Sequence, residues 1–177
     1  ILMDAQGLTQ ATYPQDIDVI EAENIISGWS VFARAIDAID SRLEMGEVQF
    51  NDTLELQPEF TDVLKLQRHN MSSQGLLAVV SSVIVINDLG WPIGFYITGK
   101  ILNGYDQPLT QINQATGSSA ILYLNQHPIA QAGIVANDET KLDLSSLALP
   151  ENVLGQLQTN AKESSLNLVL NNLTYLS

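Results

Sequence analysis

The 177 residues include no cysteine, and 45% of them are hydrophobic against 15% charged. That balance excludes a disordered chain, a disulfide-stapled scaffold and a thiolate metal site, because there is apolar surface to bury and no sulfur to bridge or ligate. The net charge of −13 argues against nucleic acid and anionic lipid as partners, since both are held mainly by Lys and Arg.

The charge is unevenly spread. Residues 1–62 hold thirteen acidic and two basic side chains, whereas residues 63–177 hold seven and five. Such a face keeps the protein in solution or docks a basic partner. No apolar run approaches the roughly 18 to 20 residues that cross a bilayer. The longest, Leu76 to Ile86, is interrupted by Ser81 and Ser82. The sequence opens on Ile1 with no basic segment leading into an apolar one, so a processed or trimmed start is expected.

In chain order, residues 1–15 are polar and turn-prone, with Gly7 and Pro14, and read as an arm ordered by a partner or not at all. Ile17 and Val19 alternate with Asp16 and Asp18, which favours a short strand. From Ser30 the period changes: Phe32, Ala35, Ile36, Ile39 and Leu43 recur at helical spacing, predicting an amphipathic helix over about 30–45, capped by Ser30 and closed by Gly46. After Gly46 the period drops to two. Val48, Phe50, Leu54 and Leu56 predict a half-buried strand stopped by Pro58, and Leu64, Leu66 and Arg68 predict another.

Leu76 to Ile86 is almost continuously apolar, which predicts a strand covered on both faces. Residues 87–92 turn the chain into an antiparallel neighbour over 93–102. Asn103 and Asp106 lie in a loop, and residues 108–117 read as a mixed stretch with an edge strand. Residues 120–124 and 129–135 predict a hairpin joined through Asn125 to Pro128. A short helix over about 150–161, with Pro150 in its first turn, is compatible with the spacing of Val153, Leu154 and Leu157. The closing alternation from Leu166 to Tyr175 shifts phase at Asn171 and Asn172, which suggests a bulge.

Seven to nine short strands punctuated by turns predict a mainly β chain, at the margin of α+β: one antiparallel sandwich domain over 16–177 behind the arm of 1–15. The stretch from Gly99 to Leu144, with its strand, its loop at Asp106 and Pro108 and the hairpin around Tyr123 and Ile129, resembles transthyretin-like or immunoglobulin-like sandwich modules of bacterial surface proteins. The resemblance covers about a quarter of the chain and implies a fold alone.

Chemistry-bearing patterns are scarce. His69 and His127 stand apart from any nucleophile or metal-ligand spacing, and Gly117, Ser118 and Ser119 do not form a nucleophile elbow. Phosphate-cradling glycine loops are missing. The carboxylate pairs Asp16 with Asp18, Glu21 with Glu23 and Asp138 with Glu139 read as solvated charge. Calcium has two weak candidate loops, Asn137 to Glu139 and Asn103 with Asp106, neither with a Ca-loop signature. Asn51, Asn70 and Asn172 sit in Asn-x-Ser/Thr triplets at the frequency chance supplies. Of the two tryptophans, Trp91 lies between Gly90 and Pro92 in a turn that could expose its ring as a binding platform, although core packing or a lid over the sandwich end is the favoured reading for both Trp29 and Trp91.

The sequence therefore leads to a non-catalytic structural or assembly protein that acts through protein contacts, with copies of itself or other subunits of a virion or other extracytoplasmic assembly. The alternative is a ligand-binding module of a cell-surface or periplasmic protein that uses Trp91, Asp106 and Asp138 for calcium or carbohydrate. No cofactor is expected. The address expected is extracytoplasmic, with the cytoplasm left open.

Overall fold

The computed structural model describes residues 1–13, 15–42, 48–56, 75–134, 144–150, 167–170 and 173–176, together with 60, 63, 151, 153 and 155. The chain divides into two compact units, Ile1–Ile101 and Leu102–Ser177. The division follows from strand pairing, because every strand before Ile101 finds its neighbours before Ile101.

The first unit is built on one five-stranded antiparallel sheet. Its strands are β1 (Leu2–Asp4), β2 (Thr9–Ala11), β3 (Gln49–Leu56), β4 (Leu76–Ile86) and β5 (Pro92–Ile101), in the order β2-β1-β5-β4-β3. The expected arm is thus part of the sheet. β1 lies in the interior of the sheet, pairing with β2 on one side and with β5 on the other, where Met3 faces Phe95 and Asp4 faces Gly94. Short length hid it: three residues of alternation are too few to read as a strand.

Helices α1 (Val19–Ile26) and α2 (Ser30–Asp40) connect β2 to β3. The first of these falls where a strand was expected. Asp18 is a helix cap whose carboxylate accepts from the Glu21 amide at 3.1 Å, so its alternation with Ile17 and Val19 carries no strand meaning; Ala22 and Ile26, four apart, are the buried residues. The second helix matches its predicted period, with Val31, Ala35, Ala38 and Ile39 buried. Trp29 takes the cap position without a side-chain bond, while the Ser30 hydroxyl donates to the Asp52 carboxylate on β3.

Side chains alternate along each long strand. Phe50 and Leu56 of β3, Leu76, Ala78, Val80, Ser82 and Ile84 of β4, and Phe95 and Ile97 of β5 are buried on one face, against α2 and the end of α1. Helices, and not a second sheet, cover this face, so the expected sandwich of two facing sheets does not describe the first unit. β4 was expected to be covered on both sides, yet Val79 is exposed and Leu77, Val83 and Val85 are half-buried.

The core is densest under α2. Phe32 meets Phe95 edge to face at 5.6 Å, the Arg34 guanidinium stacks 4.7 Å over Phe50, and the buried Ser82 hydroxyl donates to the Val31 carbonyl at 2.8 Å. The last contact satisfies a polar group that would otherwise be costly to bury.

The second unit holds a helix α3 (Gln107–Thr116), a hairpin of β6 (Ala120–Leu124) and β7 (His127–Ala132), a short 3₁₀ turn (Leu144–Leu147) and a hairpin of β8 (Asn167–Leu170) and β9 (Leu173–Leu176). α3 replaces the edge strand expected over 108–117, and it interrupts the sandwich-module resemblance of Gly99 to Leu144. Two signals set it: Pro108 sits in its first turn, where a missing N–H costs nothing, and Gly117 ends it in the left-handed region at φ 72°. Leu170 pairs with Leu173, so the phase shift expected as a bulge separates two strands. Ile134, the fully buried Leu147 and Ile121 form a small core, beside which the Tyr123 hydroxyl donates to the Leu147 carbonyl at 2.9 Å.

The strand expected around Leu64 to Arg68, along with His69 and Gly46, lies outside the described residues. So does most of the helix expected over 150–161, of which residues 151, 153 and 155 are helical.

Candidate ligand pocket

At the α1 end of the sheet the packing changes. The inward positions of β4 and β5 there include two small residues, Ala78 and Gly99, among Val80, Ile97 and Ile101. Where α2 fills the neighbouring region, this end is approached, among the described residues, by the end of α1, by Trp29 and by the segment that leads from β2 into α1. A pocket of about 320 Å³ results. That volume is at the lower end of the roughly 300–1,000 Å³ found for small-molecule sites.

The floor is sheet: Leu56, Ala78, Val80, Ile97, Gly99 and Ile101. The opposite wall is Ile26 and Trp29 from the α1–α2 turn, with Ile17 just before the Asp18 cap. Tyr13 borders the pocket with 92% of its surface exposed, so its phenol stands at the mouth. Ile1 and Thr98 complete the lining, and among the described residues no Asp, Glu, Lys, Arg or His side chain borders the space. A lining of this kind suits an uncharged apolar body, because an ion would lose its water with no charged side chain among the described lining residues to replace it.

Two carboxylates brace the helices that form the wall. Glu23 of α1 accepts from the Thr9 amide of β2 at 2.7 Å, and this bond holds its carboxyl below the ordinary glutamate value of 4.5. Asp52 of β3 accepts from the Ser30 hydroxyl and from the Thr53 amide, which hold it below the ordinary aspartate value of 3.8.

Of the residues singled out from the sequence, Trp91 is absent from the pocket lining. Trp91 is in the β4–β5 turn, 51% exposed, with the Arg42 guanidinium 5.6 Å above its ring. The turn is fixed by Asn87, whose side-chain oxygen accepts from the Leu89 and Trp91 amides at 3.0 and 2.9 Å. Asp106 belongs to the second unit, where it precedes α3 and its carboxylate accepts from the amide of the buried Gln131 at 3.0 Å; it is engaged with the backbone of β7. Asp138, with Asn137 and Glu139, lies outside the described residues. Among the described residues no three His, Cys, Asp or Glu side chains gather as metal ligands, and no helix is long and apolar enough to cross a membrane.

Sequence reasoning missed the pocket because its lining reads as ordinary core. The available signal was the pair of small residues Ala78 and Gly99 on one face of adjacent strands, which becomes visible only with the register. Compared with known protein families, curated proteins and solved structures, the chain matches none.

Proposed function

We propose that the first unit is a binding module for a small, uncharged, largely apolar molecule held between α1 and the sheet. One observation carries this reading: a pocket of about 320 Å³ lined, among the described residues, mainly by aliphatic side chains, with Tyr13 and Trp29 as aromatic members. It keeps the ligand-binding alternative drawn from the sequence and moves the site from exposed loops to the sheet face.

The test uses Trp29 as reporter in a Trp91→Phe background, titrated with the uncharged fluorophore phenylnaphthylamine. Saturable binding with energy transfer from Trp29 is expected, together with a raised Tm by mass action. Ala78→Leu fills the floor and abolishes binding while the protein stays folded by circular dichroism. Absence of saturable binding, or binding unchanged in folded Ala78→Leu, overturns the reading.

A second reading, contact with further copies or other subunits of an assembly, draws on a separate observation. Ile86, Leu89, Trp91 and Ile93 form an exposed apolar group around the β4–β5 turn, Leu89 being 81% exposed, and exposed clusters of this kind mark contact surfaces.

A further inference from the structure

The exposed turn between β4 and β5 has a direction built into it. The Asn87 amide donates to the Trp91 carbonyl and the Gly90 amide to the Asn87 carbonyl, both at 2.9 Å, and Gly90 takes the left-handed region at φ 80°. This is a tight hairpin loop, with Asp88 and Leu89 at its tip and Trp91 at its base. Just past the end of α2, Arg42 places its guanidinium 5.6 Å over the Trp91 ring. Arg42 and Asp88 are both exposed. The apolar group of Ile86, Leu89, Trp91 and Ile93 thus carries a cation at the base of the hairpin and an anion at its tip.

We propose that the partner of this patch is the same patch on a second copy of the chain. The two hairpins lie antiparallel about a two-fold axis, Leu89 of each covering Trp91 of the other and Asp88 of each pairing with Arg42 of the other. This rests on the reading of the turn as a contact surface and specifies its mate. Charge makes the choice. Residues 1–62 hold two basic side chains against thirteen acidic ones; of the two, Arg34 is stacked over Phe50 and Arg42 stands on the patch. A basic partner would set a like charge against Arg42, and an acidic partner would set one against Asp88. A second copy meets both with the opposite sign, because a two-fold contact brings the tip of one hairpin to the base of the other. Covering Trp91 also strips water from the guanidinium above it, which strengthens the attraction between cation and ring. Four exposed apolar residues per copy make a small interface, so the pair is weak and reversible.

Sedimentation velocity of the full chain over a concentration series reads the pairing, at an ionic strength of about 0.15 M, where repulsion between two acidic copies is screened beyond about 8 Å. The wild type is expected to self-associate. Arg42→Glu and Asp88→Arg, each folded by circular dichroism, weaken that association about tenfold or more, since like charges then meet twice across the axis. An equimolar mixture of the two variants recovers the wild-type affinity, because each copy supplies the sign that the other lacks, and recovery excludes misfolding as the cause of the loss. Should either reversal fail to fold, Arg42→Gln and Asp88→Asn each remove one charge and weaken association less. Association that Leu89→Asp lowers but no change at Arg42 or Asp88 alters, or a mixture no tighter than either variant alone, overturns the antiparallel pairing and leaves the turn as a contact surface. A wild type that does not associate, or association indifferent to Leu89→Asp, overturns the contact reading and the pairing with it.

Discussion

Gly94 shows how a single missing side chain can decide a strand pair. It faces Asp4 across the β1–β5 ladder, and a β-carbon added there would fall on the Met3 carbonyl oxygen, far inside contact distance, with the Asp4 α-carbon at 3.1 Å. Both obstacles are backbone, so neither can rotate away. Gly94→Ala is expected to cost about 1–3 kcal/mol, as overpacking does, and to loosen β1 first. Urea unfolding measures the loss, and hydrogen exchange at Met3 and Phe95 locates it. A variant as stable as wild type, with both amides protected, would refute the account. The acidic residues of the first third are also more engaged than their count suggested. Asp4 accepts from the Gln6 and Leu8 amides, Asp18 caps α1, and Glu23 and Asp52 bind a backbone amide each.

Between elements, the bond from Thr9 to Glu23 ties β2 to α1, and its charge gives it a pH dependence. The folded carboxyl of Glu23 is held below its ordinary value by that bond. Protons therefore bind the unfolded state more readily, and the contribution is present above the ordinary value of 4.5 and fades as pH falls through the lower folded value. Glu23→Gln is expected to lower Tm slightly at pH 7 and to converge with wild type as pH falls below 4.5, flattening that part of the acid limb; the effect is small because the group is exposed. An unchanged acid limb would show that the bond does not couple to folding. Elements of this length were read from the sequence with uneven success, and the reasons are local. α2, β3, β4 and β5 were legible because eight to eleven residues establish a period. β1 and β2 were not, at three residues each. α1 was misread because a capping aspartate mimics alternation, and α3 because Pro108 and Gly117 were counted as loop residues when they mark the two ends of a helix. The pocket stayed out of reach for a different reason. Its floor depends on which residue of β4 faces which residue of β5, and register is a property of the pair.

Across the whole molecule, the exposed apolar turn of β4–β5 is the feature with a consequence in solution. Asn87 holds it in one shape, so little ordering remains to be done when a partner covers Leu89 and Trp91. Concentration-dependent association, followed by light scattering, is expected for the wild type and reduced in Leu89→Asp, with the pocket's affinity for phenylnaphthylamine unchanged. A wild type that stays monomeric to millimolar concentration would remove this turn from consideration as a self-contact.

The sheet order has one more effect, felt during synthesis. β1 leaves the ribosome well before its principal neighbour, β5, which lies more than ninety positions downstream, as the bond between Ile1 and Ile97 records. At about 5–20 residues per second, translation keeps that partner away for roughly 5–20 s. During this interval the nascent β2–β1 hairpin has only its own turn to rely on, and Met3 faces water. Chaperones that shield emerging apolar segments therefore have a long window of access at β1.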